Sequence, residues 1–131
     1  MEVNSTERIL QSLKKFGLMP EVKEDRIIFY YQMALYIYVP DSKDENYVAM
    51  TIPNICDVTA ENQTEVLNAI NASNAIMKSA KMVIADNKVW ALWEQFLPEE
   101  GCLDSIVRRG ITCLHEITQY FEAVRTDINN K

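Results

Sequence analysis

The segment from Cys102 to Thr126 constrains this chain most. Leu103, Val107, Gly110, Ile111, Leu114, Ile117, Phe121 and Val124 recur at steps of three and four, and Ile106, Cys113 and Tyr120 widen the stripe. Apolar residues at that spacing line one face of an α-helix. A helix over 102–126 would be about 36 Å long at 1.5 Å per residue. Its stripe needs an equally long apolar surface to pack on. Gly110 sits in mid-helix on the stripe, where glycine costs about 1 kcal/mol relative to alanine. Close approach of another backbone is the usual compensation.

That surface has an obvious source. RIIFYYQMALYIYV, residues 26–39, is almost wholly apolar or aromatic and rich in strand-forming side chains. As one strand it would run about 46 Å, against a usual ~17–20 Å. It therefore folds back near Gln32-Met33, giving strands at 26–31 and 34–39. The polar run 40–46 is a loop, and Tyr47 to Ile52 is a third strand ended by Pro53. Lys81 to Ala85 and Lys88 to Phe96 form a hairpin across Asp86-Asn87. Two shorter helices complete the order. One spans 5–16, with an Asn4/Glu7 capping box, Ile9, Leu10, Leu13 and Phe16 on one face, and Gly17 and Pro20 beyond its end. The other spans 62–75, with an Asn62/Glu65 capping box, Val66, Leu67 and Ile70 on one face and Asn68, Asn71 and Asn74 opposite. The order α-β-β-β-α-β-β-α predicts an α+β fold: a single antiparallel five-stranded sheet with helices packed on one face. Its 131 residues form one domain, 1–131.

Several function classes are excluded or left without support. The stretch MEVNSTERIL has no basic segment followed by an apolar one, so no secretory signal is expected. No window reaches the ~18 apolar residues of a membrane-spanning helix. Cys56, Cys102 and Cys113 are odd in number and form no CxxC, which reads as reduced thiols in a cytoplasmic protein. The sequons at Asn4, Asn62 and Asn71 would then go unused. A net charge of −6, with basic residues paired at Lys14-Lys15 and Arg108-Arg109 or scattered among more acids, argues against nucleic acid. Three glycines, Gly17, Gly101 and Gly110, build no phosphate cradle. His115 has no Cys, Ser or Asp beside it to suggest a triad, and no metal-ligand spacing occurs. Asp41, Asp44 and Glu45 lack calcium-loop spacing. No catalytic residue, metal or cofactor is expected.

Strand alternation assigns sides. One set, expected to face the helices, is Ile27, Phe29, Tyr31, Leu35, Ile37, Val39, Val48, Met50, Ile52, Met82, Ile84, Trp90, Leu92 and Phe96. The other carries Tyr30, Tyr36, Tyr38, Tyr47, Thr51, Lys81 and Trp93, with Ile28, Ala49, Val83, Val89 and Ala91 among them. Tyr and Trp supply contact area with a polar tip and are enriched where proteins meet. Tyr30, Tyr36, Tyr38, Tyr47 and Trp93 are therefore the candidate partner-binding residues. The alternative is cross-strand aromatic pairing that stabilises a solvated sheet.

The order of elements, with LNAIN at 67–71, then a hairpin, an acidic loop and a long last helix, resembles the type III secretion chaperone-like superfamily, and within it the bacterial YbjN-type proteins. The likeness covers about residues 5–126. It implies a non-enzymatic, often homodimeric protein that binds a polypeptide partner over apolar patches of helix and sheet. It also implies a dimer seam on the second helix and later strands, near Asn71, Ile76, Met77 and Trp93. A small-molecule sensor or enzyme with a pocket between sheet and helices, or a structural subunit of an assembly, are the competing readings.

Overall fold

The computed structural model describes residues 5–41, 43–98 and 101–129. Three helices, α1 (Ser5–Lys15), α2 (Gln63–Ile76) and α3 (Leu103–Asn129), accompany six strands. These are β1 (Glu21–Lys23), β2 (Arg26–Tyr31), β3 (Ala34–Tyr38), β4 (Tyr47–Asp57), β5 (Ala80–Ala85) and β6 (Lys88–Phe96). They form one antiparallel sheet in the order β1-β2-β3-β4-β6-β5. The sixth strand is β1, three exposed residues paired to β2, too short to show an alternation in sequence.

Local chemistry sets most boundaries. The end of α1 is a Schellman motif: Gly17, at φ 89°, donates to Lys14 O, and Leu18 N donates to Leu13 O. The Asn4 capping box lies outside the described residues. For α2 the capping-box expectation is corrected. Asn62 holds the cap position but its side chain faces back, accepting from Thr59 N at 2.7 Å and donating to Asp57 O at 2.9 Å. Glu65 instead meets Arg125 of α3 at 3.0 Å. β4 does not stop at Pro53. A register shift between Ile52 and Cys56, with Asn54 at φ 53°, absorbs the missing N–H, and pairing resumes to Asp57.

The helices share one side of the sheet. α3 lays Val107, Ile111, Leu114, Ile117 and Phe121, all fully buried, onto it, and α1 adds Ile9 and Leu13. Val66 and Ala69 of α2 close the layer. Fully burying side chains of this size is worth roughly 1.5–3 kcal/mol each. The core is continuous, from Ile27 and Phe29 at one end to Met82 and Val89 at the other.

Candidate functional site

Two tight hairpins decide which side chains remain outside. Gln32 and Met33 both have positive φ (50° and 68°), the backbone of a two-residue turn, so Tyr31 pairs with Ala34, Phe29 with Tyr36 and Ile27 with Tyr38. Directly paired residues share a face. Tyr36 and Tyr38 therefore stand with Phe29 and Ile27 on the helix side. Asp86 and Asn87 (φ 52° and 60°) do the same for β5 and β6, pairing Met82 with Ala91 and Ala80 with Trp93.

The expected sidedness is thus corrected in β3 and β6. Tyr36, Tyr38 and Trp93 are buried, at 0%, 0% and 1% exposure, and cannot form an open docking face. The Tyr36 ring stacks on Phe29 at 5.1 Å, and its hydroxyl points to the Ile111 carbonyl at 3.4 Å. Burial, with the charge of Tyr31 adding to it, pushes the Tyr36 phenol far above its usual range, and burial raises Tyr38 too. The other three strands are as expected: Tyr30, Tyr47, Thr51, Lys81, Ile28, Ala49 and Val83 look away from the helices.

The outer face is consequently more aliphatic than the sequence reading allowed. Its central row crosses the sheet as Ile28, Ile37, Thr51, Leu92 and Lys81, each paired with the next. Tyr30 with Leu35 and Trp90 with Val83 flank it on one side, and Ala49 with Glu94 on the other. The helix contacts fall on the opposite face: Gly110 over Trp93, Ile111 at Tyr36, Phe16 and His115 at Tyr31. Tyr30 and Phe96, at 68% and 69% exposure, mark the margins of the uncovered surface.

One polar stripe crosses this face. The Tyr47 hydroxyl donates to Glu94, whose carboxylate also accepts from Lys81 Nζ at 3.1 Å, while the Tyr47 ring packs on Phe96 at 5.5 Å. The bond to Glu94 is the main reason the Tyr47 phenol is pushed up to about 12, and the same bond, with Lys81, holds the Glu94 carboxyl low.

The sheet edges are blunted. On β5, the Asn74 carboxamide of α2 accepts from Met82 N at 2.7 Å and donates to Met82 O at 3.1 Å. On the other side β1 is short, follows Pro20 and carries Glu21 and Lys23. Short, charged or covered edges resist strand addition.

The expected dimer residues do not meet on one surface. Asn71 and Ile76 are exposed on α2, Met77 is half-buried against the core, and Trp93 is sealed beneath α3. The three cysteines are unpaired. Among the described residues no group of three or more His, Cys, Asp or Glu side chains converges, and no helix is long and apolar enough to cross a membrane. Ile28, Leu35, Ile37, Trp90 and Leu92 are the outer-face residues of which sequence reasoning missed all but Ile28 as surface; the two-residue turn lengths were the signal.

No protein-family model and no curated protein matches the sequence. Solved structures do. YbjN from E. coli, described as a candidate transcription regulator, matches with a TM-score of 0.69, covering 93% of this chain and 92% of that one at 9% identity. The chain has the YbjN fold. An uncharacterized protein from Methanothermobacter thermautotrophicus matches with a TM-score of 0.67, covering 94% and 97%, at 12% identity. At such identities the shared property is architecture. It agrees with the YbjN-type arrangement expected from the order of elements, with six strands in place of five.

Proposed function

We propose that this protein is a non-enzymatic polypeptide-binding module, working as a homodimer or adaptor, and that its docking surface is the outer face of the sheet. One observation carries the reading. The row Ile28–Ile37–Thr51–Leu92 lies on the face opposite the helix contacts of the described residues, with Tyr30 and Phe96 largely exposed beside it. Contiguous apolar surface of this kind favours a partner over water. Blunted edges turn the mode away from strand addition and toward face-to-face packing. The reading of a pocket between sheet and helices is less favoured: fully buried hydrocarbon from Phe29 to Phe121 fills the centre of that layer, and the concavity at its margin between β6 and α3 is lined by no carboxylate or histidine among the described residues.

Tyr36 and Tyr38 are core residues, so the test uses outer positions. Ile37→Glu with Leu92→Glu places two carboxylates on the face without touching the core. Sedimentation equilibrium at micromolar concentration should show a dimer for the unaltered chain and a monomer, with unchanged circular dichroism, for the variant. An adaptor without self-association would instead lose its co-purifying polypeptide in the variant. A chain that is monomeric and captures the same polypeptides with or without the two glutamates would end the proposal.

A further inference from the structure

The helix side of the molecule carries a second surface of different chemistry. Basic residues that look isolated in sequence, Lys15 and the pair Arg108-Arg109, are brought together by the fold. Lys15, at the end of α1, bridges Asp104 in the first turn of α3 at 3.4 Å. Arg108, one turn further along α3, lies over the Phe16 ring at 5.1 Å. The α1–α3 seam therefore gathers Arg8, Lys15, Arg108 and Arg109, while Lys78 stands on the other flank of α3, beside β6. These are five of the 13 basic residues of a chain with 19 acids.

Two adjoining concavities of about 510 and 550 Å³ run along this seam, a third of about 510 Å³ opens on the other flank of α3 against Trp93 and Gln95 of β6, and Ser105 lines all three. Their described walls contain one carboxylate, Asp104, already engaged by Lys15. The Asp104 carboxyl is held low, first by the Ser12 hydroxyl and then by Lys15 and Arg108. Arg8, Lys78 and Arg109 form no ion pair with a carboxylate among the described residues, and Arg108 acts on Asp104 only from beyond ion-pair distance. Phe16, Leu103 and Ile106 interleave apolar wall between the cations. The positive end of the long α3 dipole lies in the same place and adds to the field.

We propose that the α1–α3 groove binds an extended acidic polypeptide segment bearing apolar side chains between its carboxylates. Cations left unpaired in an acidic protein favour an anionic partner through complementarity. The net charge of −6 opposes a duplex, whose charge is dense and continuous, more than a short peptide. Apolar walls between the arginines match a peptide rather than a sugar-phosphate chain. This surface is separate from the outer sheet face, so either can fail alone.

The test uses the full chain and a fluorescein-labelled peptide of three Asp-Asp-Leu-Glu repeats, read by fluorescence polarisation. Binding is expected at low salt and should weaken at least tenfold at high salt. Arg108→Glu with Arg109→Glu should reduce affinity at least tenfold, while Ile37→Glu with Leu92→Glu should leave it unchanged. Arg8→Glu, on the α1 wall of the groove, serves if the double variant does not fold. Amide shifts on titration should map to Ser105 and Thr112. Equal affinity for the unaltered chain and the charge-reversed variants would overturn the proposal. So would absence of peptide binding at low salt, or tighter binding of a 20-base-pair duplex than of the peptide.

Discussion

The Trp93 indole lies against Gly110, so close that a Cβ on Gly110 would come within 2.6 Å of the ring atoms Cδ2 and Cε3. The glycine is not compensated by another backbone, as its place in the helix suggested, but by a buried aromatic ring that uses the room a side chain would take. Gly110→Ala should therefore destabilise the protein despite the better helix propensity of alanine. Overpacking costs typically 1–3 kcal/mol, and the propensity gain of about 1 kcal/mol offsets part of it. A net loss of about 1 kcal/mol is expected, because the added Cβ meets three atoms of the Trp93 ring at once. Urea denaturation should show a lower midpoint at unchanged slope. In a Trp93→Leu background the same glycine substitution should cost less; equal costs in both backgrounds would break the link between the two residues.

The same tryptophan shows what could be read from sequence and what could not. The α3 stripe, both hairpin turns and the strand cores were legible, because each depends on spacing along a continuous segment. Helix α1 and its Gly17 stop were legible for the same reason. Sidedness went wrong in β3 and β6 alone. A two-residue turn pairs positions whose numbers sum to an odd value, as in Phe29 with Tyr36 or Met82 with Ala91. An odd-numbered residue then shares a face with an even-numbered one. Carrying hydrophobicity across the turn, by grouping Phe29 with Leu35 and Ile37, put aliphatic residues inside and tyrosines outside. The aromatic residues won the interior because register is fixed by turn geometry, and both alternatives were apolar enough to bury. β1 and the continuation of β4 past Pro53 were not legible, since one is too short for a pattern and the other depends on a bulge.

Buried tyrosines make the fold sensitive to base. The Tyr36 and Tyr38 phenols are raised from their usual value of 10.0 chiefly by burial. A group raised in the folded state stabilises it fully below the unfolded value. That contribution is lost as pH rises from about 10 through the folded values, because the unfolded chain ionises first. Absorbance at 295 nm should show the two tyrosines ionising together with loss of the far-ultraviolet dichroism. Tyr36→Phe with Tyr38→Phe should move the alkaline unfolding transition to higher pH relative to neutral stability. Complete ionisation of all six tyrosines while the dichroism is retained would contradict this.

The β2–β3 turn is a site where stability can be gained. Gln32 and Met33 occupy left-handed backbone, and the Met33 side chain is wholly exposed, so it contributes no packing. Left-handed conformations cost non-glycine residues of order 1 kcal/mol or more. Asn and Gly are the residues such turns favour. Gln32→Asn with Met33→Gly should stabilise the protein by about 1 kcal/mol, visible as a higher midpoint in thermal unfolding. A lower midpoint would mean that the turn is held by contacts other than its own dihedral preferences.

Asn74 does for the β5 edge what a seventh strand would do. Its carboxamide imitates a peptide group, taking both the N–H and the C=O of Met82. Those two groups point away from β6, so by ladder alternation those of Ala80 and Ile84 do as well. Ala80 N is already bound to Lys78 O at 2.7 Å, and Ile84 lies near the strand end. Asn74→Ala should cost about 0.5–1.5 kcal/mol, the net worth of a typical hydrogen bond, because these two are only part-buried. It should also open the edge to another copy of the strand, seen as added mass in sedimentation velocity at rising concentration. Asn74→Asp, which still accepts from Met82 N but cannot donate to Met82 O, should fall between. In the unaltered chain, hydrogen exchange at the Met82 amide should be slower than at Ile84, which shares its outward direction without the carboxamide. Equal exchange at both, with no change in mass for Asn74→Ala, would show that the edge is protected by something other than this side chain.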